Sequence, residues 1–477
     1  MEFYSLTQRK ILDIQSNGPA RPLSEDEKCI EKKLVRKLDI VILPVIVLAF
    51  FLNCIDRANY GAARLQNLEA DLHMTDAQFQ AGLGVFYIGY VLFQVPSNML
   101  LNHFGRPSWH IGLSIIVWGM VTACTSAVNN FGGMLACRIL LGCVEAPVYP
   151  GIMFYLSKWY KKTELTLRIS IALAAGLIAT AVGSLIAAGI SSGLDGVRGL
   201  SAWRWLYLIE GIVSIGGGFV LIAILPDFPH TWTTLLPKMK EVAIRRLTLE
   251  ASQVDLDDEN MSPMDGLKLA LADKKLYIIT VINMCIIGAI GCQGFFPTMT
   301  ATLGYNHIIS LLLVAPPYIF TAISSCIHSH LSDCTGRRFW YFIYPAPIAI
   351  AGFAIFMSPL TAFGARYVSM FLMLFIYNMN NTISAWIATS ISRPPAKRAA
   401  AYGFVSMMCN TSAIWTPFTY RARDAPHFRL ALGLVIGMVV VAVGLSVVLR
   451  ALLVRENRRL DEADGNGKEP SSFRYTV

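Results

Sequence analysis

The sequence predicts an all-α membrane protein with 12 transmembrane helices, arranged as two pseudo-repeats of six helices. Three observations lead to this prediction. Apolar residues make up 55% of the 477 residues and charged residues only 15%, whereas a soluble chain of this length needs more charge to cover its surface. The mean hydropathy is +0.52, and the apolar residues form stretches of the roughly 20 residues that cross a bilayer. A polar interval separates two groups of these stretches.

Both groups contain six apolar stretches. The predicted spans are 38–57, 77–101, 109–128, 131–156, 166–191 and 203–225, followed by 276–297, 309–331, 339–358, 366–391, 399–420 and 428–453. The chain then divides into a cytosolic N-terminal tail (1–37), a first six-helix bundle (38–226), a cytosolic linker (227–275), a second bundle (276–454) and a cytosolic C-terminal tail (455–477). The N-terminal tail has no apolar core of the kind a signal peptide requires.

The basic residues predict the orientation of the spans. They concentrate in alternate loops, at Arg106, Lys158, Lys161, Lys162, Lys238, Lys240, Arg245, Arg246, Lys268, Lys274, Lys275, Arg337, Arg338, Arg393, Lys397 and Arg398. By the positive-inside rule these loops and both termini are cytosolic. The net charge of +9 therefore reflects membrane orientation, and we expect no nucleic-acid partner.

Two short cytosolic turns suggest an internal repeat. Gly105 and Arg106 close the second span, and a segment with Asp333, Gly336, Arg337 and Arg338 closes the eighth, six spans later. Gly and Arg are also simply suited to short cytosolic turns, and for either loop alone that interpretation is the better one. The matched position favours a repeat of two halves, a plan that places the substrate between them near the membrane midplane.

Ionisable residues inside apolar helices are the most informative feature. Each costs about 2.5–3.5 kcal/mol at a helix centre, so each needs a partner or a function. Asp56 and Arg57 stand at the end of the first span. Neighbours on a helix point about 100° apart, so we expect each to meet a group on another helix. The alternative is that the helix ends at Ile55 and both charges lie in water.

Arg138 and Glu145 lie seven residues apart in the fourth span. That spacing is two helical turns, which places both side chains on one face about 10 Å apart along the axis. The pair suits a cavity where a cation binds an anionic solute and a carboxylate takes up a proton beside it. Alternatively, Arg138 anchors the helix at the membrane surface. Glu210 in the sixth span is a further buried acid, with either a functional or a packing role.

Neutral polar side chains in the spans could line a solute path or join helices through hydrogen bonds. They are Tyr87, Tyr90, Gln94, Gln293, Asn378, Asn380 and Asn381. His328 and His330 are expected at a cytosolic helix end, in the interface and not in a proton relay.

A series of motifs extends over nearly the whole chain. In order they are Asp56-Arg57-Ala58-Asn59 with Gly61, Pro96-Ser97-Asn98, Arg138 with Leu141-Gly142, Glu145-Ala146, Pro150-Gly151, Ser157-Lys158-Trp159-Tyr160, Trp203-Arg204-Trp205 with Glu210-Gly211, Pro226-Asp227-Phe228-Pro229, Pro297 with Leu303-Gly304, Ala315-Pro316-Pro317-Tyr318, Ser332-Asp333, Lys397-Arg398-Ala399-Ala400 and Asp424-Ala425-Pro426. Through them the chain resembles the anion:cation symporter family of the major facilitator superfamily (MFS), and within it the fungal allantoate/nicotinate permease branch.

This resemblance implies the MFS fold, alternating access and proton-coupled transport of a small organic anion. Carried over by motif, Arg57 and Arg138 face the substrate carboxylate, and Asp56 and Glu145 couple transport to protons. The further candidates for substrate binding are Asn59, Tyr87, Gln293 and Asn378, and those for gating are the two cytosolic turns, Gly105 and Arg106 with Asp333, Gly336, Arg337 and Arg338.

The sequence departs from the family pattern mainly in its second half. Ala388 and Thr389 follow Trp386-Ile387 where an Asn is expected, and Thr416 stands where Gly is typical. The seventh span offers Gln293 and no Arg, so a second substrate carboxylate has no obvious partner there. Substrate identity is therefore where the resemblance says least.

The leading functional prediction is uptake of a monocarboxylate such as a vitamin acid or a ureide acid. Efflux of an acidic metabolite and a nutrient sensor that transports little are the alternatives.

We predict no enzyme activity, because no nucleophile–base pair stands at suitable spacing, and the 10 cysteines form no metal-binding pattern. No cofactor or metal is expected. The partners are the organic anion, protons and the lipid bilayer. A monomer in the plasma membrane is expected, with a vacuolar or other internal membrane left open.

Overall fold

The structure is a computed structural model of the chain. It describes residues 24–104, 106–157, 159–227, 232, 234–254, 263–359, 362–391 and 395–465. Within these ranges all regular secondary structure is helical. Gly105, which the sequence suggests as part of a cytosolic turn, lies outside the described residues.

The first half of the chain forms one group of helices. They are α1 (Glu25–Arg64), α2 (Leu68–Asp71), α3 (Asp76–Phe104), α4 (Pro107–Thr125), α5 (Phe131–Glu145), α6 (Val148–Ser157), α7 (Lys162–Gly193) and α8 (Ala202–Ile224), with a 3₁₀ turn at Val197–Gly199. The linker contributes α9 (Pro237–Val254) and α10 (Pro263–Leu271).

The second half repeats this plan with more interruptions. Its helices are α11 (Lys274–Ile290), α12 (Phe296–Ala301), α13 (His307–Leu312), α14 (Ala315–Thr335), α15 (Arg338–Ile343), α16 (Pro345–Met357), α17 (Phe363–Met373), α18 (Ile376–Ser390), α19 (Pro395–Trp415) and α20 (Arg429–Gly465). The 3₁₀ turns are Gly291–Phe295, Thr416–Thr419 and Ala422–Asp424.

All 12 predicted spans correspond to helical stretches of the structure. Among the described residues, eight stretches are long and apolar enough to cross a membrane by length and composition. The other four predicted spans coincide with α3, with α5 and α6, with α17 and α18, and with α19. The all-α fold class is therefore confirmed, and the helical stretches are consistent with 12 spans.

The first helix is much longer than its predicted span. Ser24 caps it, because the Ser24 side chain accepts a hydrogen bond from the Glu27 amide while the Glu27 carboxylate accepts one from the Ser24 amide. Such reciprocal capping, with acids in the first turn, favours a helix start. At the other end α1 continues to Arg64. The alternative that the helix ends at Ile55 is therefore wrong.

Several predicted spans are interrupted. The fourth is divided between α5 and α6 at Ala146 and Pro147, because proline lacks the amide hydrogen that would continue the helical hydrogen bonds. The seventh passes through the 3₁₀ turn at Gly291–Phe295, and the eighth divides just before Pro316 and Pro317. The fourth, seventh and eighth predicted spans are therefore not continuous α-helices.

Close packing within the first half depends on glycines. Helices α3 and α5 approach so closely that a Cβ atom on Gly142 would clash with the carbonyl oxygen of Phe86. Helices α4 and α8 meet in the same way, since a Cβ on Gly211 would lie 2.5 Å from the Ala123 amide nitrogen. Small residues permit such approach between transmembrane helices. Contacts between the halves join α7 to α14 and α3 to α19.

The described part of the linker is attached to both halves. Arg246 on α9 is fully buried and pairs with Glu164 at 3.3 Å and with Glu31 at 3.7 Å. Arg245 pairs with Glu27 at 2.6 Å. Helix α10 instead packs against α19. Each linker helix therefore belongs to a different half.

The turn between α14 and α15, which contains the predicted Asp333, Gly336, Arg337 and Arg338, has a defined geometry. Asp333 pairs with Arg338 at 2.6 Å, and Gly336 ends α14 with a positive φ of 65°, a conformation that glycine adopts without strain. Arg337 immediately precedes the following helix. The prediction that His328 lies at an interfacial helix end is wrong: His328 is buried and hydrogen-bonded to Tyr344 and Thr382, both at 2.7 Å, because α14 packs against α18 at that point.

Candidate functional site

The buried carboxylate of Glu145 is the centre of a charged cluster. Its Oε2 atom accepts hydrogen bonds from the Asn53 amide at 2.7 Å and from the Arg57 Nε at 2.8 Å. Both donors come from α1, one helical turn apart, and Glu145 is the last residue of α5. The expectation that Arg57 meets a group on another helix is therefore confirmed.

Arg57 is the most accessible charge of this cluster. Its side chain is 28% exposed, whereas that of Glu145 is 0% exposed. The guanidinium lies over the rings of Phe86 and Tyr90, 5.3 Å and 4.9 Å from their centroids. Tyr87 packs edge-on against Phe86 on the same helix. An arginine held on aromatic faces is oriented without using all of its donors, so it can bind an anion bidentately.

Asp56 points about 100° away from Arg57 around α1 and accepts a hydrogen bond from the Thr122 hydroxyl at 2.8 Å. Its Oδ2 atom and Glu145 Oε1 are buried and have no hydrogen-bond donor among the described residues. The two carboxyl groups lie within hydrogen-bonding reach of each other. Two carboxylates cannot hydrogen-bond unless one carries a proton. This arrangement is therefore suited to hold one proton between them.

Arg138 lies deeper than Arg57. It donates a hydrogen bond to the Tyr207 hydroxyl at 2.6 Å and lies 3.9 Å from the centroid of the Tyr60 ring. Only 4% of the residue is exposed. The alternative that Arg138 anchors the helix at the membrane surface is therefore wrong. In this conformation a solute can approach Arg57 more easily than Arg138.

Glu210 on α8 is the third acid of this region. It is 7% exposed, and neither of its carboxyl oxygens has a hydrogen-bond partner in the described part of the chain. Asp56 lies within electrostatic range of it.

A second polar group lies where the two halves meet. Gln293 donates to the Thr180 hydroxyl at 3.1 Å and accepts from the Tyr377 hydroxyl at 2.8 Å. It lines a small cavity together with Asn59 and Tyr318. Both polar atoms of the Asn59 amide are buried and have no partner among the described residues. Asn59 and Gln293 thus lie together, as residues of a solute path would.

Asn378 is not part of either group. It is buried and accepts a hydrogen bond from Ser325 at 2.8 Å, which joins α18 to α14. This contact fits the alternative that such side chains hold helices together. Arg106 is exposed at the start of α4.

The end of the bundle opposite the Asp333–Arg338 turn is closed by hydrogen bonds between the halves. Gln80 donates to the Tyr420 carbonyl at 2.7 Å, and the Ala422 amide donates to Asp76 at 2.8 Å. Arg64 binds the same Asp76 at 2.7 Å and Glu69 at 3.0 Å. Burial raises the pKa of Glu69, and Arg64 opposes this shift.

Four residues of the cluster are missing from the sequence predictions: Asn53, Tyr60, Thr122 and Tyr207. Asn53 could have been found, because it stands four residues before Arg57 and so shares its helix face. Thr122 and Tyr207 give no comparable signal, since their importance depends on which helices pack together.

The comparisons with known proteins agree on the superfamily. Residues 46–417 match the family model described as Major Facilitator Superfamily. The chain is 30% identical over 441 residues to the MFS-type transporter cnsO of Penicillium expansum, covering 90% of this chain and 84% of that protein. It is 29% identical over 367 residues to a putative tartrate transporter of Agrobacterium vitis, covering 77% of each.

Solved structures support the fold. A D-xylose–proton symporter superposes with a TM-score of 0.65 at 14% identity, covering 85% of this chain and 97% of that one. A bacterial homologue of the human lysosomal transporter Spinster, in an inward-facing and occupied conformation, gives a TM-score of 0.64 at 13% identity, covering 87% and 97%. Members of this family are integral multi-pass membrane transporters and not enzymes. The chain belongs to the Major Facilitator Superfamily.

Proposed function

We propose that this protein is a proton-coupled symporter that takes up a small organic anion by alternating access. The observation that carries the proposal is the cluster of Asp56, Arg57, Arg138 and Glu145, in which two carboxyl groups approach each other beside an accessible guanidinium. The motif resemblance to the anion:cation symporters supports the same assignment, in the plasma membrane with cytosolic termini.

The charges of the cluster explain how proton and anion binding are linked. Two arginines balance two carboxylates, so the cluster is neutral without a proton. One proton shared by Asp56 and Glu145 leaves a single positive charge, which a monocarboxylate neutralises. Because an uncompensated charge is costly in a low-dielectric interior, proton and anion stabilise each other's binding.

Competition for Arg57 supplies the coupling step. A substrate carboxylate that binds Arg57 displaces Glu145 from its 2.8 Å contact. Glu145 then retains its negative charge without its cation, beside Asp56. This raises the affinity of the acid pair for a proton. The anion thus recruits the proton that accompanies it.

The remaining predicted residues have supporting roles in this proposal. Arg138, which lies deeper than Arg57, compensates the negative charge of Asp56 and Glu145. Tyr87 helps to orient Arg57. Asn59 and Gln293 hydrogen-bond the part of the solute that extends toward the second half. Asn378 and the turns with Arg106 and Asp333 act at a distance from the solute, in helix packing and in closure of the cytosolic side.

The relatives narrow the substrate class only in part. One relative is named as a putative tartrate transporter, which is consistent with an organic anion. Tartrate carries two carboxylates, whereas the accessible cation here is Arg57. We therefore include both monocarboxylates and tartrate among the candidates.

The test is uptake of radiolabelled nicotinate, pantothenate, biotin, allantoate and tartrate in yeast lacking its own carriers, with and without a protonophore. We expect one compound to accumulate and the protonophore to abolish the accumulation. Accumulation that persists with the protonophore would overturn the proton coupling. Absence of uptake by protein present at the cell surface, together with accelerated loss of a preloaded compound, would favour efflux.

A further inference from the structure

Glu210 is buried within the membrane-spanning part of α8 without a compensating group. It lies eight residues after the start of this helix, about 12 Å along its axis, and thus well inside the hydrocarbon core. Neither carboxyl oxygen has a hydrogen-bond partner among the described residues. An ionised carboxylate in that position needs a cation or several donors.

The helices around Glu210 provide no cation. From α1, Asp56 faces it, and on α8 itself the nearest titratable group is Tyr207. The other helices packed against α8 are α4 and α7. In their described parts, neither donates a hydrogen bond to Glu210. Arg138 is nearby but is directed at Tyr207 and Tyr60.

Helix α8 packs tightly against α4 at the residue next to Glu210. Gly211 brings α8 so close to α4 that a Cβ atom would lie 2.5 Å from the Ala123 amide nitrogen and 2.7 Å from the Gly119 carbonyl oxygen. Thr122, in the same stretch of α4, donates its hydroxyl hydrogen to Asp56. A neutral, protonated Glu210 is the form that this environment tolerates.

We propose that Glu210 is a third proton-binding carboxyl of the transport cycle, protonated in the conformation described here and deprotonated when the halves rearrange. The proposal rests on the proton-coupled symport proposed above. The proton that Glu210 releases passes to water in the opened cavity, and the carboxylate regains a proton on the other side of the membrane. Transport would then move a second proton in each turnover, in addition to the one shared by Asp56 and Glu145.

The test is infrared absorption of the purified full-length protein in lipid nanodiscs, in the region of the protonated carboxyl stretch, as the pH is raised. The variants are Glu210→Gln, Glu210→Asp and, as a matched control, Ser214→Ala. Ser214 is buried one turn further along the same face of α8 and has no titratable group.

We expect the wild type and Ser214→Ala to show one protonated carboxyl more than Glu210→Gln, and this excess to disappear reversibly as the pH rises. Glu210→Asp should regain a titrating band, which shows that a loss in Glu210→Gln is not due to misfolding. An identical band in Glu210→Gln would mean that Glu210 is ionised, and an excess that persists at every pH would mean a permanently neutral packing residue. Either result overturns the proposal.

The same proteins in liposomes separate this inference from the function on which it rests. Nicotinate and tartrate are the probes, driven by an imposed pH gradient. If Asp56→Asn and Glu145→Gln retain full proton-driven uptake, the proposed symport mechanism is wrong whatever the infrared result. If those variants lose it while Glu210→Gln keeps the wild-type ratio of protons to substrate, only the role of Glu210 is wrong.

Discussion

At the scale of single residues, Glu145 combines a salt bridge and a carboxyl–carboxyl contact in one side chain. The substitution Glu145→Gln keeps its size and its ability to accept from Asn53 but removes the negative charge and the exchangeable proton. With a pH gradient of one unit, coupling to one proton can drive about tenfold accumulation, since one pH unit corresponds to 1.36 kcal/mol. We expect the variant to lose this accumulation completely and still to equilibrate the solute across the membrane.

The measurement compares net accumulation with exchange of labelled for unlabelled solute in the same liposomes. Ser446→Ala is the control, because Ser446 is buried on α20 and its hydroxyl donates to the Val443 carbonyl of the same helix. Proton-driven accumulation by Glu145→Gln equal to that of the wild type would contradict the role assigned to this acid.

At the scale of helices, the contact between α3 and α5 fixes the position of Glu145. Gly142 stands one turn before Glu145, against the Phe86 carbonyl. Gly142→Ala should force the two helices apart, and overpacking of this kind costs about 1–3 kcal/mol. We expect lower thermal stability and slower uptake together, measured on purified protein and in liposomes.

Gly132→Ala is the matched control for this change. Gly132 belongs to the same helix, but the nearest atom to an added Cβ would be 3.6 Å away, which is ordinary contact. An equal loss of stability in both variants would indicate a general effect of glycine replacement in α5 and not a specific effect of the α3–α5 contact.

The closure between the halves depends on a second helix contact, that of α3 with the segment after α19. Gln80→Ala removes the hydrogen bond to the Tyr420 carbonyl, worth about 1 kcal/mol and therefore about fivefold in the opening equilibrium. We expect faster amide hydrogen exchange in residues 416–424. Gln78→Ala is the control, because within the described residues the Gln78 side chain bonds only to Thr75, which directly precedes the same helix. Equal exchange in the two variants would argue against this closure.

The sequence predicts the spans well and their interruptions poorly. A hydropathy average identifies 131–156 as one apolar stretch. It does not reveal the break at Pro147, between the end of α5 and the start of α6. It also misses the start of α1, because the polar residues that cap and open this helix lie outside the membrane.

Individual site residues are predictable because a charge in an apolar helix is costly, and this identifies Asp56, Arg57, Arg138 and Glu145. Their partners are not predictable from one sequence. Arg57 and Glu145 are 88 positions apart, so the sequence gives no sign that they are partners. Helical spacing suggests a different grouping, in which Arg138 and Glu145 serve one cavity. Instead, the fold brings Arg57 of α1 to Glu145 at the end of α5, and Arg138 binds Tyr207.

At the scale of the whole molecule, the linker helix α9 is held to the first half by ion pairs. Arg246→Ala would leave Glu164 and Glu31 without this cation, and removing one partner of a buried pair typically costs about 3–5 kcal/mol. We expect a clear fall in thermal stability and faster proteolysis of residues 237–254. Lys238→Ala is the control, because Lys238 is exposed on the same helix. Equal stability of the two variants would show that α9 contributes little to the fold.

The length of α1 links this attachment to the charged cluster. Its 40 residues form a rod of about 60 Å, twice the thickness of the hydrocarbon core. One end carries Glu27 and Glu31, which contact α9, and the other carries Asp56 and Arg57. A tilt of α1 at the charged cluster would therefore also displace the end that contacts α9. A fluorophore on α9 would then report each transport cycle from outside the bilayer.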